Sequence, residues 1–134
     1  MKNCPANEWL KAAEDDLLLV SKISEDTRLT NLAAFHCQQA IEKLMKSVME
    51  FKCIKVPKKH DLITLESQIS NFLYISEYEL LEELNSLYTD SRYPSELGIL
   101  PEGKPSVEKL KKYYELAEEI YKKVKLIVCK SLNT

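Results

Sequence analysis

Glycine and proline are scarce in this sequence and unevenly placed. Only two of the 134 residues are glycine, and both lie between positions 98 and 103. Four of the five prolines lie at position 57 or between 94 and 105. Sandwiches and barrels use many turns rich in these two residues, so the distribution argues against them. It leaves long uninterrupted segments of the kind that a helix bundle requires.

The residues that usually build metal and cofactor sites are also few. The chain has two histidines and four cysteines, without a CxxC spacing or a zinc-like pairing of the two types. A phosphate-binding glycine loop, a nucleophile elbow and an HExxH pair are all missing. We therefore expect no metal and no cofactor. Cys37 and Cys129 fall on apolar helix faces and are predicted to be buried free thiols in a reducing cytosol, with disulfides as the alternative.

Neither a long apolar run nor a strong charge excess is present. No stretch is apolar enough to suggest a signal peptide or a membrane span, so we expect a cytoplasmic protein without membrane association. The 19 basic and 21 acidic residues give a net charge of −2, which disfavours unspecific coating of nucleic acid but leaves room for a local basic patch. The length suits a single domain over residues 1–134, with its core at about 7–130.

Apolar residues recur at helical spacing in five segments. These segments are about 7–24, 28–52, 61–72, 76–93 and 106–130. Asn7, Asp61 and Ser106 are the expected N-caps, and Ser76 to Glu79 has the form of a capping box that starts the fourth helix. Phe72 is expected on the inner face of the third helix. The fold class is therefore all-α, an up-and-down bundle of four long helices plus a shorter fifth.

The second helix has an unusually broad apolar arc. Its members cover nearly half of the helix circumference, so this helix should contact two or more neighbours and lie at the centre. They are Ala33, Ala34, Cys37, Ala40, Ile41, Leu44, Met45, Val48 and Phe51.

A polar seam, formed by His36, Gln39 and Lys43, runs along the edge of that arc. Its imidazole, amide and cation could bind a phosphate and a base edge. The same three side chains could equally hydrogen-bond an adjacent helix. Asp16, at the margin of the apolar face of the first helix, is an acid that we expect to have a partner.

Two further positions are candidates for binding. His60 precedes the cap Asp61 and follows two lysines. At such a helix start the histidine could help to bind an anion, or it could simply stabilise the cap. Arg92 is one of two arginines and is suited to bidentate contact with phosphate or carboxylate. Tyr93, between Arg92 and Pro94, is biased toward an extended backbone that would aim its ring differently from the helical residues before it.

Three short segments together resemble the HEPN domain family. They read AFHCQQAIEK at 34–43, KKHDL at 58–62 and SRYP at 91–94. With Trp9 and Asp16 upstream, the resemblance spans about residues 7–128. It implies a helical bundle, usually a homodimer, that is often encoded beside a minimal nucleotidyltransferase in pairs resembling toxin–antitoxin modules.

Many HEPN proteins are metal-independent ribonucleases whose signature is an arginine, four to six residues, and then a histidine. Here no histidine follows Arg92 at that distance, and seven residues separate Arg28 from His36. Without that imidazole the usual general acid or base for activating a 2′-OH is missing. We therefore assign no catalytic residue from the signature.

Two hypotheses remain. The first is a non-catalytic, dimeric module that binds a nucleotide or a partner and works with a nucleotidyltransferase. In it a groove is lined by His36, Gln39, Lys43, His60, Arg92 and Tyr93. The second is a metal-independent ribonuclease toxin, acting on RNA with an atypical pair such as Arg92 and His36 or His60.

Overall fold

Five α-helices form the framework of the described chain. The computed structural model describes residues 5–58, 60–89 and 104–132, without the side chains of 89 and 129–132. The helices are α1 (Pro5–Ile23), α2 (Thr30–Phe51), α3 (Leu62–Ile69), α4 (Tyr78–Thr89) and α5 (Val107–Leu132), with a 3-10 turn at Thr27–Leu29 before α2. Within these ranges no residue is in a strand, so the predicted all-α fold is confirmed. The shorter fifth helix is α3, with 8 residues, and α4 is intermediate with 12.

The helix starts follow local side-chain chemistry at two of the four predicted positions. Helix α4 begins at Tyr78, and the Ser76 hydroxyl donates to Glu119 of α5. Asp61 accepts the backbone N–H of Ile63 at 3.0 Å, and Ser106 accepts that of Lys109 at 3.0 Å. Asn7 is not a cap, because α1 already begins at Pro5. Proline is favoured in the first turn of a helix, where its missing N–H would have no partner.

The segment after α3 differs from the prediction. Helix α3 ends at Ile69, and Phe72 is 42% exposed instead of lying on an inner face. Leu73 and Ile75 are buried in its place. The helical spacing therefore ends earlier than predicted. Between α3 and α4 every second residue, Leu73 and then Ile75, faces the core.

Helix α2 is central, as predicted. It packs against α1, α3, α4 and α5. Part of its polar side is also covered, since Gln38, Glu42, Lys46 and Ser47 are all buried. Every buried side-chain nitrogen or oxygen in the described residues has a hydrogen-bond partner, so these groups are satisfied inside the protein.

Helix α2 ends in a left-handed residue that is not glycine. The N–H of Ile54 donates to the carbonyl of Met49 at 2.8 Å, and that of Cys53 donates to Glu50 at 3.1 Å. This pair of bonds defines a Schellman motif. Cys53 has a φ of 59°, a conformation that costs a residue with a Cβ about 1–2 kcal/mol.

Candidate functional site

The first half of the candidate site joins α1 to α2 through Asp16. Oδ1 of this buried carboxylate lies 2.9 Å from His36 Nδ1, and its Oδ2 accepts a hydrogen bond of 2.8 Å from Lys43 Nζ. His36 and Lys43 lie seven residues apart, two turns along one face of α2, and both are about a quarter exposed. The acid predicted to need a partner therefore has two, both from the polar seam.

The second half joins α2 to the segment before α3 through Glu42. Oε2 of Glu42 lies 2.7 Å from both His60 Nδ1 and Lys46 Nζ. The carboxylate and the ammonium are both buried, whereas the His60 side chain is 74% exposed. Lys46 also lies 5.2 Å from the ring centroid of Trp9. His60 is thus held by α2 and does not stabilise the cap of α3, which Asp61 supplies.

Two glutamines extend the second half along α2. Gln39 Nε2 donates to Gln38 Oε1 at 2.9 Å, and Gln38 Nε2 donates to the carbonyl of His60 at 3.2 Å. The Gln38 amide also reaches Glu42 Oε1 at 3.5 Å. We call the eight connected or adjoining residues the polar network; they are Asp16, His36, Gln38, Gln39, Glu42, Lys43, Lys46 and His60.

The two histidines share one chemical arrangement. In each, Nδ1 faces a buried carboxylate, which favours a proton on Nδ1 and leaves Nε2 as the nitrogen available to a ligand. Each carboxylate also has a lysine as counter-charge. An imidazole held in this way can accept a proton or a hydrogen bond at Nε2, and in its doubly protonated form it can donate from Nε2 to a phosphate oxygen.

An aromatic contact links His36 to the end of α4. The Phe35 ring lies 5.6 Å from the His36 ring and 5.4 Å from the Tyr88 ring, edge to face in both cases. The Tyr88 hydroxyl donates to Asn31 of α2. Burial raises the pKa of Tyr88 well above its ordinary value, so the hydroxyl stays protonated. The candidates Arg92 and Tyr93 lie outside the described residues.

The amide groups at the start of α3 already have protein partners. Leu62 N donates to Asn85 Oδ1 at 2.8 Å, and Ile63 N donates to Asp61. Burial raises the pKa of Asp61, but hydrogen bonds from Ile63, Asn85 and Thr64 outweigh burial and leave it below its usual range. The group offered to a ligand here is therefore the His60 ring.

Arg28 does not join the polar network. Its guanidinium is 84% exposed and donates to Asp26 from Nε at 3.1 Å and from Nη2 at 2.9 Å, at the turn before α2. Cys37 is buried on the apolar side of α2, as predicted, and burial raises the pKa of its thiol to about 12. The side chain of Cys129 lies outside the described residues.

Sequence reasoning named His36, Gln39, Lys43 and His60 but not the groups that fix them. Gln38, Glu42 and Lys46 were missed, and Asp16 was noted only as an acid in need of a partner. The spacing of Glu42 and Lys46, four residues apart on a helix, was a usable signal for an ion pair. No local pattern showed that the loop returns His60 to Glu42.

Comparisons with known proteins agree on one family. No curated protein matches the chain. None of the helices in the described ranges is long and apolar enough to cross a bilayer. The crystal structure of an archaeal HEPN homologue is similar, with a TM-score of 0.68 and 27% sequence identity over 96% of this chain and 99% of that one. Because the HEPN domain family model also matches residues 6–127, the chain belongs to the HEPN family.

Proposed function

We propose that this chain is a non-catalytic nucleotide-binding module. It acts as a homodimer with a minimal nucleotidyltransferase, in a pair of toxin–antitoxin type. The observation that carries the binding proposal is the pairing of His36 with the buried Asp16 of α1 and of His60 with the buried Glu42 of α2. Both rings keep Nε2 for a ligand, and both are exposed enough to meet one.

The charges of the polar network suit a phosphate. The two carboxylates, Asp16 and Glu42, are matched by Lys43 and Lys46, so neither carboxylate remains as an unpaired negative charge beside the histidines. The partly exposed Lys43 ammonium is a suitable donor to phosphate oxygens, and so is Nε2–H of either imidazole in its doubly protonated form. Gln39 has both an amide donor and an acceptor for a base edge.

The proposal is tested by thermal unfolding with ATP or AMP. A ligand that binds only the folded chain raises the melting temperature as its concentration exceeds Kd. His36→Asn is the sharpest variant, because its side-chain amide keeps a donor for Asp16 while removing Nε2. We expect His36→Asn and Lys43→Gln to abolish the nucleotide shift. The exposed Lys11→Gln on α1 is the matched control and should retain it.

Arg92 and Tyr93 remain candidate ligand residues from the sequence. If the nucleotide contacts Arg92, Arg92→Ala also removes the shift, whereas a normal shift would exclude it. If no nucleotide raises the melting temperature but a co-expressed nucleotidyltransferase still binds, nucleotide binding is excluded. The chain would then be a partner-binding module only. Sedimentation of the isolated chain tests the dimer.

The alternative function is metal-independent RNA cleavage, and the same two imidazoles favour it. Attack by a 2′-OH requires one group to accept a proton and another to donate one. Two histidines with Nδ1 fixed on carboxylates meet that chemical requirement. This function predicts cyclic phosphate ends on cleaved RNA in the presence of a chelator, and loss of cleavage in His36→Asn and His60→Asn. RNA left intact by pure protein over a long incubation excludes it.

A further inference from the structure

Lysines are concentrated at the end of the molecule where α2 finishes. The segments 51–56, 67–76 and 120–128 contain two, none and three lysines respectively, and no acid. Side-chain contacts bring these three segments together, since Lys52 lies over Phe72 and Lys123 lies over Tyr74. A chain with a small negative net charge thus carries a basic surface here. We call this surface, formed by Lys52, Phe72, Tyr74 and Lys123, the lysine–aromatic end.

Its two aromatic rings are unusually exposed for their size. Phe72 is 42% exposed and Tyr74 is 74% exposed. Leu73 and Ile75, which follow the two rings in the sequence, are almost fully buried. Exposed and buried side chains therefore alternate along this segment. Lys123 Nζ also donates to the carbonyl of Tyr74 at 2.7 Å. The rings are therefore presented to solvent from an anchored segment.

Each ring has a lysine beside it. Lys52 Nζ lies 4.6 Å from the Phe72 centroid, and Lys123 Nζ lies 5.8 Å from the Tyr74 centroid. Glu119, one turn earlier on α5, pairs with Lys123 at 3.1 Å. Rings with this much exposure leave area for a further flat group, and the adjoining ammonium groups favour an anionic one.

We propose that the lysine–aromatic end binds single-stranded nucleic acid. Unpaired bases stack on Phe72 and Tyr74, while Lys52, Lys123 and the neighbouring lysines contact the phosphates. This combination of stacking rings and a basic track is how proteins hold single strands without reading their sequence. It is independent of the nucleotide proposal, because Lys52 lies roughly four helical turns from His36 along α2.

The test is fluorescence anisotropy with a labelled single-stranded RNA of mixed sequence, about 12 nucleotides long. The same sequence as a duplex is the comparison, since its bases are already stacked. We expect the single strand to bind more tightly than the duplex. Phe72→Ala and Tyr74→Ala should each weaken binding roughly tenfold, whereas Tyr74→Trp should retain it.

Matched variants distinguish the contribution of base stacking from that of charge, and distinguish this surface from the polar network. Lys52→Gln with Lys123→Gln should make the salt dependence shallower, by about one to two in the slope of log Kd against log salt concentration. Leu126→Ala removes an exposed apolar side chain without a ring and should bind as wild type. His36→Asn should also bind the strand normally. The melting temperature of each variant checks folding.

Three outcomes overturn the proposal. The first is equal affinity for duplex and single strand. The second is an unchanged Kd when both rings are removed. The third is failure to bind any single strand, with the surface instead mediating self-association or binding to vesicles of phosphatidylserine, measured by sedimentation.

Discussion

Glu42 is a buried carboxylate on the central helix α2, and its environment explains how a charge is tolerated there. Lys46 supplies a buried counter-charge at 2.7 Å, and His60 and Gln38 approach the remaining acceptor positions. A buried ion pair contributes little net stability compared with apolar residues, but removal of one partner leaves an uncompensated charge. The pair is therefore expected to be more sensitive to single than to double substitution.

Glu42→Gln should lower the free energy of unfolding by about 3 kcal/mol, because Lys46 loses its counter-charge in a buried site. The double variant Glu42→Gln, Lys46→Met should recover most of that loss, since methionine keeps an apolar stem without the ammonium. Urea unfolding of wild type, both single variants and the double variant measures the coupling. Additive losses would mean that the two side chains are not energetically paired.

At the scale of helices, the end of α2 has an unusual residue. Cys53 occupies the left-handed position of the Schellman motif that glycine usually fills. The sequence did not indicate this, because both glycines lie elsewhere and a cysteine carries no turn signal. The hydrogen bonds of Cys53 and Ile54 to the last turn of α2 hold the conformation despite its cost.

Cys53→Gly should raise the free energy of unfolding by about 1 kcal/mol. Glycine relieves the Cβ clash, although its more flexible unfolded state offsets part of the gain. The measurement is the urea midpoint at constant m-value. Cys53→Ala is the control, since it removes the thiol but keeps the Cβ; an equal gain in that variant would show that the thiol, and not the backbone, was responsible.

The cap of α3 should make stability depend on pH. Hydrogen bonds from Ile63 and Asn85 help to hold the pKa of Asp61 below its ordinary value of 3.8 in the folded chain. A group with a lowered folded pKa stabilises fully above its unfolded pKa and loses that contribution as pH falls through the folded value. The contribution of Asp61 is thus complete at neutral pH and declines below about pH 4.

Asp61→Ala should cost about 1 kcal/mol or slightly more at pH 7, because the cap and the Asn85 contact are both lost. The difference from wild type should shrink in acid. Urea unfolding between about pH 7 and pH 3 measures it. Asp15→Ala, on an exposed part of α1, controls for the removal of one negative charge. A difference that does not change with pH would contradict the assigned role of the Asp61 charge.

At the scale of the whole molecule, small residues let the central helix approach its neighbours. Six alanines are fully buried, and three of them lie on α2. They are Ala6, Ala13, Ala33, Ala34, Ala40 and Ala117. Close helix contact leaves no volume for larger side chains at these positions.

Ala34→Leu should therefore lower the free energy of unfolding by about 1–3 kcal/mol through overpacking. Leu32→Ala, two residues earlier and 43% exposed, should change it far less. Urea unfolding of the two variants compares a buried with an exposed position on one helix. Equal effects at both positions would contradict tight packing around Ala34.

The sequence was most informative where a pattern is local. Helical period located all five helices and the central role of α2, and cap chemistry identified Asp61 and Ser106. The wheel placed His36 and Lys43 on one seam, and they share Asp16. The Glu42–His60 pair could not be predicted, because it depends on the path of the loop between α2 and α3. Phe72 was misplaced because a short helix ended one turn before its apolar pattern did.

The enclosure of α2 also determines when its side chains move. Segments open locally at a free-energy cost that rises with burial, and the most enclosed element opens only when the whole domain unfolds. The backbone amides of α2 should accordingly exchange their hydrogens more slowly than those of α4 or of the loops. His36 and Lys43 lie on α2, so the distance between their backbone positions is fixed in the unliganded protein. If a ligand binds at the proposed site, we expect association in a single kinetic step whose rate is proportional to ligand concentration.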